Sequence, residues 1–210
     1  MKYAGLPNMI WIVFHKSFQK HLSIEFNIPP QQAKTIAVQA KQKYKEIIAG
    51  LPEFEKGDRF KMNIVGTAIV AAFILCMPER PDVKTLTDYY ANSMMTPVMK
   101  LFCRMGGKSK FTPKDIEKMQ HNAAFRAGDR NPYSWNMDFY LYPDGSGYEA
   151  RFFTCGICTM MKELGLYDLT PALCHLDYTM SEAGGTSNFV RQYTLASGRP
   201  YCDCGYKKRG

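Results

Sequence analysis

No stretch of this 210-residue chain is apolar for long enough to cross a bilayer. The longest apolar run, Ile64 to Met77, has 14 residues and includes Gly66 and Thr67, whereas a spanning helix needs roughly 20. The amino terminus lacks the form of an export signal. Met9 to Phe14 is apolar for six residues only, and no small-residue cleavage site follows. Internal repeats and low-complexity segments are also missing. Acidic side chains are in deficit, 19 against 27 basic, for a formal net charge of +8. Cysteine is scarce over the first 150 residues, with only Cys76 and Cys103, and concentrated in the last 56, with Cys155, Cys158, Cys174, Cys202 and Cys204. These absences predict a cytoplasmic protein with no membrane partner, whose odd number of cysteines stays reduced.

What is present is ordinary for a globular chain: 46% apolar and 22% charged residues. That composition excludes a disordered chain, a collagen-like chain and a supercharged tail. The length is enough to bury a core without disulfide staples. The positive charge is uneven. Residues 1–50 carry 7 basic and 2 acidic groups, residues 51–127 carry 12 and 8, and residues 128–210 carry 8 and 9. The excess belongs to the first two thirds. Nucleic-acid binding would need aromatics interleaved with the basic residues. Around Lys34, Lys41 and Lys45 the only aromatic is Tyr44, and it lies on the apolar stripe. The expectation is therefore no nucleic-acid partner.

The first two thirds read as helices. After Pro29 and Pro30, which a helix tolerates at its start, Ala33, Ile36, Ala37, Ala40, Tyr44, Ile47 and Ile48 recur at three- and four-residue spacing. Gly50 is placed to cap that helix. Residues 60–76 are apolar nearly all round, as in a helix at the centre of a bundle. Weaker helical segments follow between Val83 and Cys103. Thr112, Pro113 and Asp115 have the order of a cap, a first-turn proline and a capping-box acid, opening a helix that ends near Gly128.

The period then changes. Trp135, Met137, Phe139 and Leu141 alternate with Asn136, Asp138, Tyr140 and Tyr142, which predicts a strand. Turn residues from Pro143 to Gly147 lead to a second strand over about 148–154, a hairpin. Residues 155–164 predict a short helix closed by Gly165, and another starts near Thr170 and Pro171. Phe189 to Ala196 and Tyr201 to Lys207 predict two further strands joined through Gly198. The expected fold class is α+β: a helical N-terminal two thirds packed against a small antiparallel sheet of about four strands. One domain over residues 1–210 is expected, helical over 1–130 and cysteine-rich over 131–210.

The chemistry-bearing residues gather late. In the run Leu173 to Tyr178, Cys174 and Asp177 are three apart and share a face if helical. Cys155 and Cys158 have that spacing at a helix start, where the dipole favours thiolate. Cys202 and Cys204 alternate with Asp203, so the two thiols face one way. Three readings stay open: buried small hydrophobes, a zinc site, or a metal-free catalytic site using a thiolate or carboxylate. His175 is the only histidine of the last third and points about 100° away from Cys174 on a helix. Arg191, expected in mid-strand, is a solvent-facing arginine, a fork for a substrate carboxylate, or the partner of Asp203.

Segments of this third resemble the L-2-amino-thiazoline-4-carboxylic acid hydrolase family. They are Cys155-Gly156-Ile157-Cys158, Lys162-Glu163-Leu164-Gly165, Leu173-Cys174-His175-Leu176-Asp177-Tyr178, residues 191–198, and Tyr201-Cys202-Asp203-Cys204. Residues 131–137 and 43–48 are similar to its bacterial members. A fainter likeness is to the 4-vinyl reductase type of small-molecule-binding domain, some of whose members hold zinc. The chain departs from the family at Cys204, where typical members carry an aromatic. The resemblance implies a ring-opening hydrolysis: water adds to the carbon between sulfur and nitrogen, the carbon–sulfur bond breaks, and N-carbamoyl-L-cysteine forms. It makes Asp177 the candidate base, His175 a proton donor and Arg191 the substrate-binding clamp; Cys155, Cys174 (the catalytic candidate) and Cys202 are candidate nucleophiles or, with Asp177, zinc ligands. The rival reading is a non-catalytic zinc-containing sensor that binds a small molecule. A redox role for Cys155 and Cys158 would want a βαβ context that the chain lacks.

Overall fold

A computed structural model describes residues 1–128 and 130–210. It has the α+β architecture that the change of period predicts. The helices come first: α1 (Leu6–Glu25), α2 (Pro30–Gly50), α3 (Lys61–Cys76), α4 (Val83–Met94), α5 (Pro97–Ser109) and α6 (Pro113–Arg126). Then follow β1 (Met137–Leu141), β2 (Gly147–Phe152), α7 (Gly156–Glu163), α8 (Thr170–Cys174), α9 (Leu176–Gly184), β3 (Ser187–Val190) and β4 (Cys202–Lys208).

Helix α3 is buried from Ile64 to Ile74 and packs on α1, α2 and α7. A helix with no polar face has to be enclosed. The Tyr44 hydroxyl ties three helices by donating to the Pro7 and Val65 carbonyls, both at 3.2 Å. Trp11 and Phe18 stack on Phe73, centroids 5.9 and 5.4 Å apart. Gly50 ends α2 without the expected left-handed cap, and Leu51 continues extended. The cap of α6 is as expected: Thr112 accepts from the Asp115 N–H at 3.2 Å. The Asp115 carboxylate reaches back to the Phe111 N–H at 2.9 Å. None of the helices is long and apolar enough to cross a membrane, among the described residues.

The antiparallel sheet has the order β1-β2-β4-β3. Its register puts Phe152, Ala150 and Tyr148 opposite Cys202, Cys204 and Tyr206, and Phe189 opposite Tyr206. These alternate positions form the face turned to the helices, and Glu149, Arg151, Asp203 and Lys207 form the outer face. One strand is shorter than expected. β3 stops at Val190, so Arg191 lies beyond its end and not in mid-strand. The reason is Asp203. Its carboxylate accepts the Gln192 N–H (3.0 Å) and the Tyr193 N–H (2.6 Å), replacing a ladder partner, and Thr194 then opens a tight turn.

Gly156 opens α7 where a side chain has no room. A methyl group there would run into the backbone carbonyl of Tyr133. Gly156→Ala is expected to destabilise the fold by about 1–3 kcal/mol, read as a lower urea midpoint. An unchanged midpoint would contradict the close approach.

Candidate active site

Five elements converge at one end of the sheet's helix-facing side. Cys155 is the N-cap of α7, and Cys158 sits one turn in. Cys174 ends α8, Asp177 lies in the first turn of α9, and Cys202 and Cys204 come from the inner face of β4. Arg191 joins them. Its Nη1 donates to Asp177 Oδ2 at 2.8 Å, and its Nη2 donates to the Cys174 carbonyl at 2.6 Å. One guanidinium thereby closes the carboxyl end of α8 and fixes the first turn of α9. The group is held from below by the rings of Phe189 and Tyr178, at 5.0 and 5.4 Å.

Asp177 is ringed by protein, yet 41% of its side chain is open to solvent, against 6% for Arg191. Surrounded by protein yet reached by solvent, this carboxylate marks the recess considered as the site. Burial pushes its carboxyl above the ordinary range, opposed by the charges of Arg191 and Lys110. The desolvation outweighs the ion pair, which moves the group toward the range of a general base.

The thiols around it differ in character. All seven cysteines are free. Cys155 is held below the ordinary thiol range, first by the Cys158 thiol and against its own burial. The amides of Ile157 and Cys158 and the Trp135 side chain add to this, though none closes an ordinary capping hydrogen bond. Cys158 is pushed up in return, by Cys155 and by burial. Burial drives Cys174 up to about 12, against Arg191. It drives Cys202 up to about 11, against the Leu195 N–H that reaches its Sγ at 3.2 Å. Cys204 also rises through burial. Cys174, expected as a nucleophile, is therefore a protonated thiol at neutral pH, and Cys155 is the one biased to thiolate.

That difference is measurable. With iodoacetamide at pH 7, Cys155 is expected to be alkylated ahead of Cys174 and Cys202 by more than about tenfold. Its rate should level off below the pH at which theirs still rise. Peptide mapping that finds Cys174 labelled first would contradict the assignment.

The sequence-predicted residues separate into three groups. Cys155, Cys174, Asp177, Arg191 and Cys202 do come together, each within electrostatic range of others in the set. His175 is exposed and stacks on Tyr178, with ring centroids 5.1 Å apart. The zinc expectation finds no support: among the described residues, no three His, Cys, Asp or Glu side chains are grouped to hold a metal ion. Three of the four expected ligands are turned to other tasks. Asp177 faces Arg191, Cys155 faces Cys158, and Cys202 accepts from Leu195. Asp203, considered as a partner of Arg191, instead binds the Gln192 and Tyr193 amides on the outer face.

Two residues at the recess went unforeseen. Tyr90 of α4, buried, reaches the neighbourhood of Asp177 and Cys174. Lys110, just past α5, holds its ammonium 3.4 Å from the centroid of the Tyr206 ring. Neither carries a local motif, since both are brought in from distant helices. Two open surface clefts lie elsewhere. One, of about 480 Å³, runs along the outer sheet face by Tyr142, Glu149, Asp203 and Lys207 and reaches the Asp177 site only at Arg191. The other, of about 260 Å³, lies between Lys43, Tyr133 and Glu163. Neither is lined by a thiol.

A family model described as L-2-amino-thiazoline-4-carboxylic acid hydrolase matches residues 62–206, well over half of the chain. The match runs from α3 into β4 and takes in every group at the recess. No curated protein and no solved structure matches the chain.

Proposed function

The chain belongs to the L-2-amino-thiazoline-4-carboxylic acid hydrolase family, and from that premise we propose that it opens the ring of L-2-amino-thiazoline-4-carboxylate at the Asp177 recess. The reaction adds water to the amidine-like carbon between sulfur and nitrogen. One water proton goes to the base and the other to the ring nitrogen. The carbon–sulfur bond then breaks, its electron pair leaves on sulfur, and N-carbamoyl-L-cysteine is released. The leaving thiolate has a conjugate acid of pKa about 8.5 and needs little help to depart. The demanding step is to activate water near neutral pH.

The observation that carries this reading is Asp177 itself: solvent-reachable, surrounded by protein and raised above the ordinary carboxyl range. It takes the proton from water and returns it to the departing sulfur. Arg191, expected to clamp the substrate, has both arms of its fork on Asp177 and the Cys174 carbonyl. We assign it instead to holding Asp177 in place. The protonated thiols of Cys174, Cys202 and Cys204 line the recess as weakly polar walls.

Incubating the purified chain with the thiazoline acid while titrating free thiol tests the proposal. Thiol rising with substrate consumed, one for one, is the expected result. Folded protein that binds the acid yet yields no thiol above a blank would leave only a binding domain.

A further inference from the structure

We infer that Lys110, and not Arg191, is the group that receives the carboxylate of a small acidic ligand in the recess. The inference rests on the hydrolase reading only for its choice of probe.

Lys110 follows α5 directly and is half-buried. Its ammonium lies 3.4 Å from the centroid of the Tyr206 ring and 5.6 Å from that of Tyr148. Cation–π contact holds one side of it and leaves N–H donors over. Around it stand Asp115 of α6, Asp177 of α9, Arg59, and the phenols of Tyr148 and Tyr206. Each carboxylate already has a donor on its Oδ2, and neither closes an ion pair with Lys110. Asp115 accepts from the Phe111 N–H at 2.9 Å and from the Tyr148 hydroxyl at 2.8 Å. Asp177 accepts from Arg191. No ion pair or hydrogen bond closes on the Lys110 ammonium among the described residues. A desolvated cation with unfilled donors is costly unless an anion arrives.

Position supports the same role. Tyr206, Cys204 and Cys202 succeed one another on the inner face of β4, about 7 Å apart per pair of residues. A ligand lying along this strand places a carboxylate at Lys110 and Tyr206 and its ring over Cys204, facing Asp177. Three bonds separate the carboxylate carbon of such a heterocycle from its reacting ring carbon, so both fit within that spacing. Burial lowers the Lys110 ammonium to about 8, against the pull of Asp115. It is therefore charged at neutral pH, and anion binding should fade as pH rises through about 8.

The test uses 2-aminothiazole-4-carboxylate, an aromatic acid that resists ring opening, and 2-aminothiazole, which lacks the carboxylate. Titration calorimetry compares the wild type with Lys110→Met and Lys110→Arg, with melting temperature as the check on folding. The wild type should bind the acid at least tenfold more tightly than the neutral ring. Lys110→Met should remove that preference and leave the neutral ring's affinity unchanged. Lys110→Arg should keep the preference and carry it above pH 8, which a merely structural lysine would not do. Should Lys110→Met fail to fold, the wild-type and Lys110→Arg pH profiles still decide. Equal wild-type affinity for acid and neutral ring, no binding of either, or an acid affinity unaffected by Lys110→Met would each overturn the inference. Acid binding through Lys110 with no thiol released from the thiazoline would sustain it while removing the hydrolase reading.

Discussion

Asp177→Asn is expected to lower thiol release from the thiazoline acid by a factor of about 10²–10⁴, the usual range for losing a positioned base. Asparagine has the same shape and keeps one oxygen for the Arg191 fork, which grips Asp177 at 2.8 Å. What disappears is the capacity to take a proton. The wild-type pH profile carries the same information. Burial raises the Asp177 carboxyl above its ordinary value. The base form is therefore lost as pH falls, beginning at a higher pH than for an exposed aspartate. Activity should show an acid limb at that higher pH, and the residual activity of Asp177→Asn should lack it. The same sign bears on stability. A carboxyl raised in the folded state favours folding below its unfolded value, and that contribution is lost as pH rises through the folded value. The ionised carboxylate thus burdens the fold at neutral pH, and its replacement should leave a protein with native circular dichroism. Full activity in the variant would remove Asp177 from the chemistry.

The largest loss of stability is expected from Asp58→Ala, at about 3–5 kcal/mol. Asp58 and Arg126 face each other at 3.2 Å with side chains only 1% and 2% exposed. The carboxylate also accepts the Phe60 N–H at 2.8 Å and the Ser134 hydroxyl at 2.9 Å. Arg126 Nε donates to the Trp135 carbonyl at 3.2 Å. The pair thus ties the segment before α3 and the end of α6 to the approach to β1. Removing the acid breaks a buried ion pair and takes the acceptor from the Phe60 N–H and the Ser134 hydroxyl, and the loss of those buried contacts dominates. Urea denaturation reads it as a midpoint lower by about 1–5 M, given slopes of about 1–3 kcal/mol per molar. A change below 0.5 M would mean that water or neighbours satisfy Arg126 without Asp58. Trp135 also lies against Cys155, so surviving protein should show slower alkylation at that thiol.

Periodicity made most of the elements legible. The stripe of α2, the all-apolar α3, the capped α6 and the hairpin occupy the expected positions. Helix α1 shows in the sequence only as the six-residue apolar stretch Met9 to Phe14. Its buried positions Ile10, Trp11, Phe14, Phe18 and Leu22 recur at helical spacing over twice that length. The extra strand length expected beyond Val190 fails for a reason that alternation cannot carry, since a side chain, Asp203, takes the place of a neighbouring backbone. The recess was half legible. Local spacing puts Cys174 with Asp177 and Cys155 with Cys158, and the structure brings both pairs to one place. Partner choice was not legible. Only the tertiary arrangement sets Arg191 on Asp177, turns His175 outward and brings in Lys110 from the end of α5, more than sixty residues away. The zinc set finds no support among the described residues, because spacing counts ligands and says nothing of how their side chains are turned.

A crystal structure with 2-aminothiazole-4-carboxylate bound tests most directly where the ligand sits. The ligand should lie along β4, its carboxylate on the Lys110 ammonium and its ring carbon facing Asp177. Ligand found instead in the outer cleft by Glu149 and Asp203, with the recess unchanged, would contradict the account.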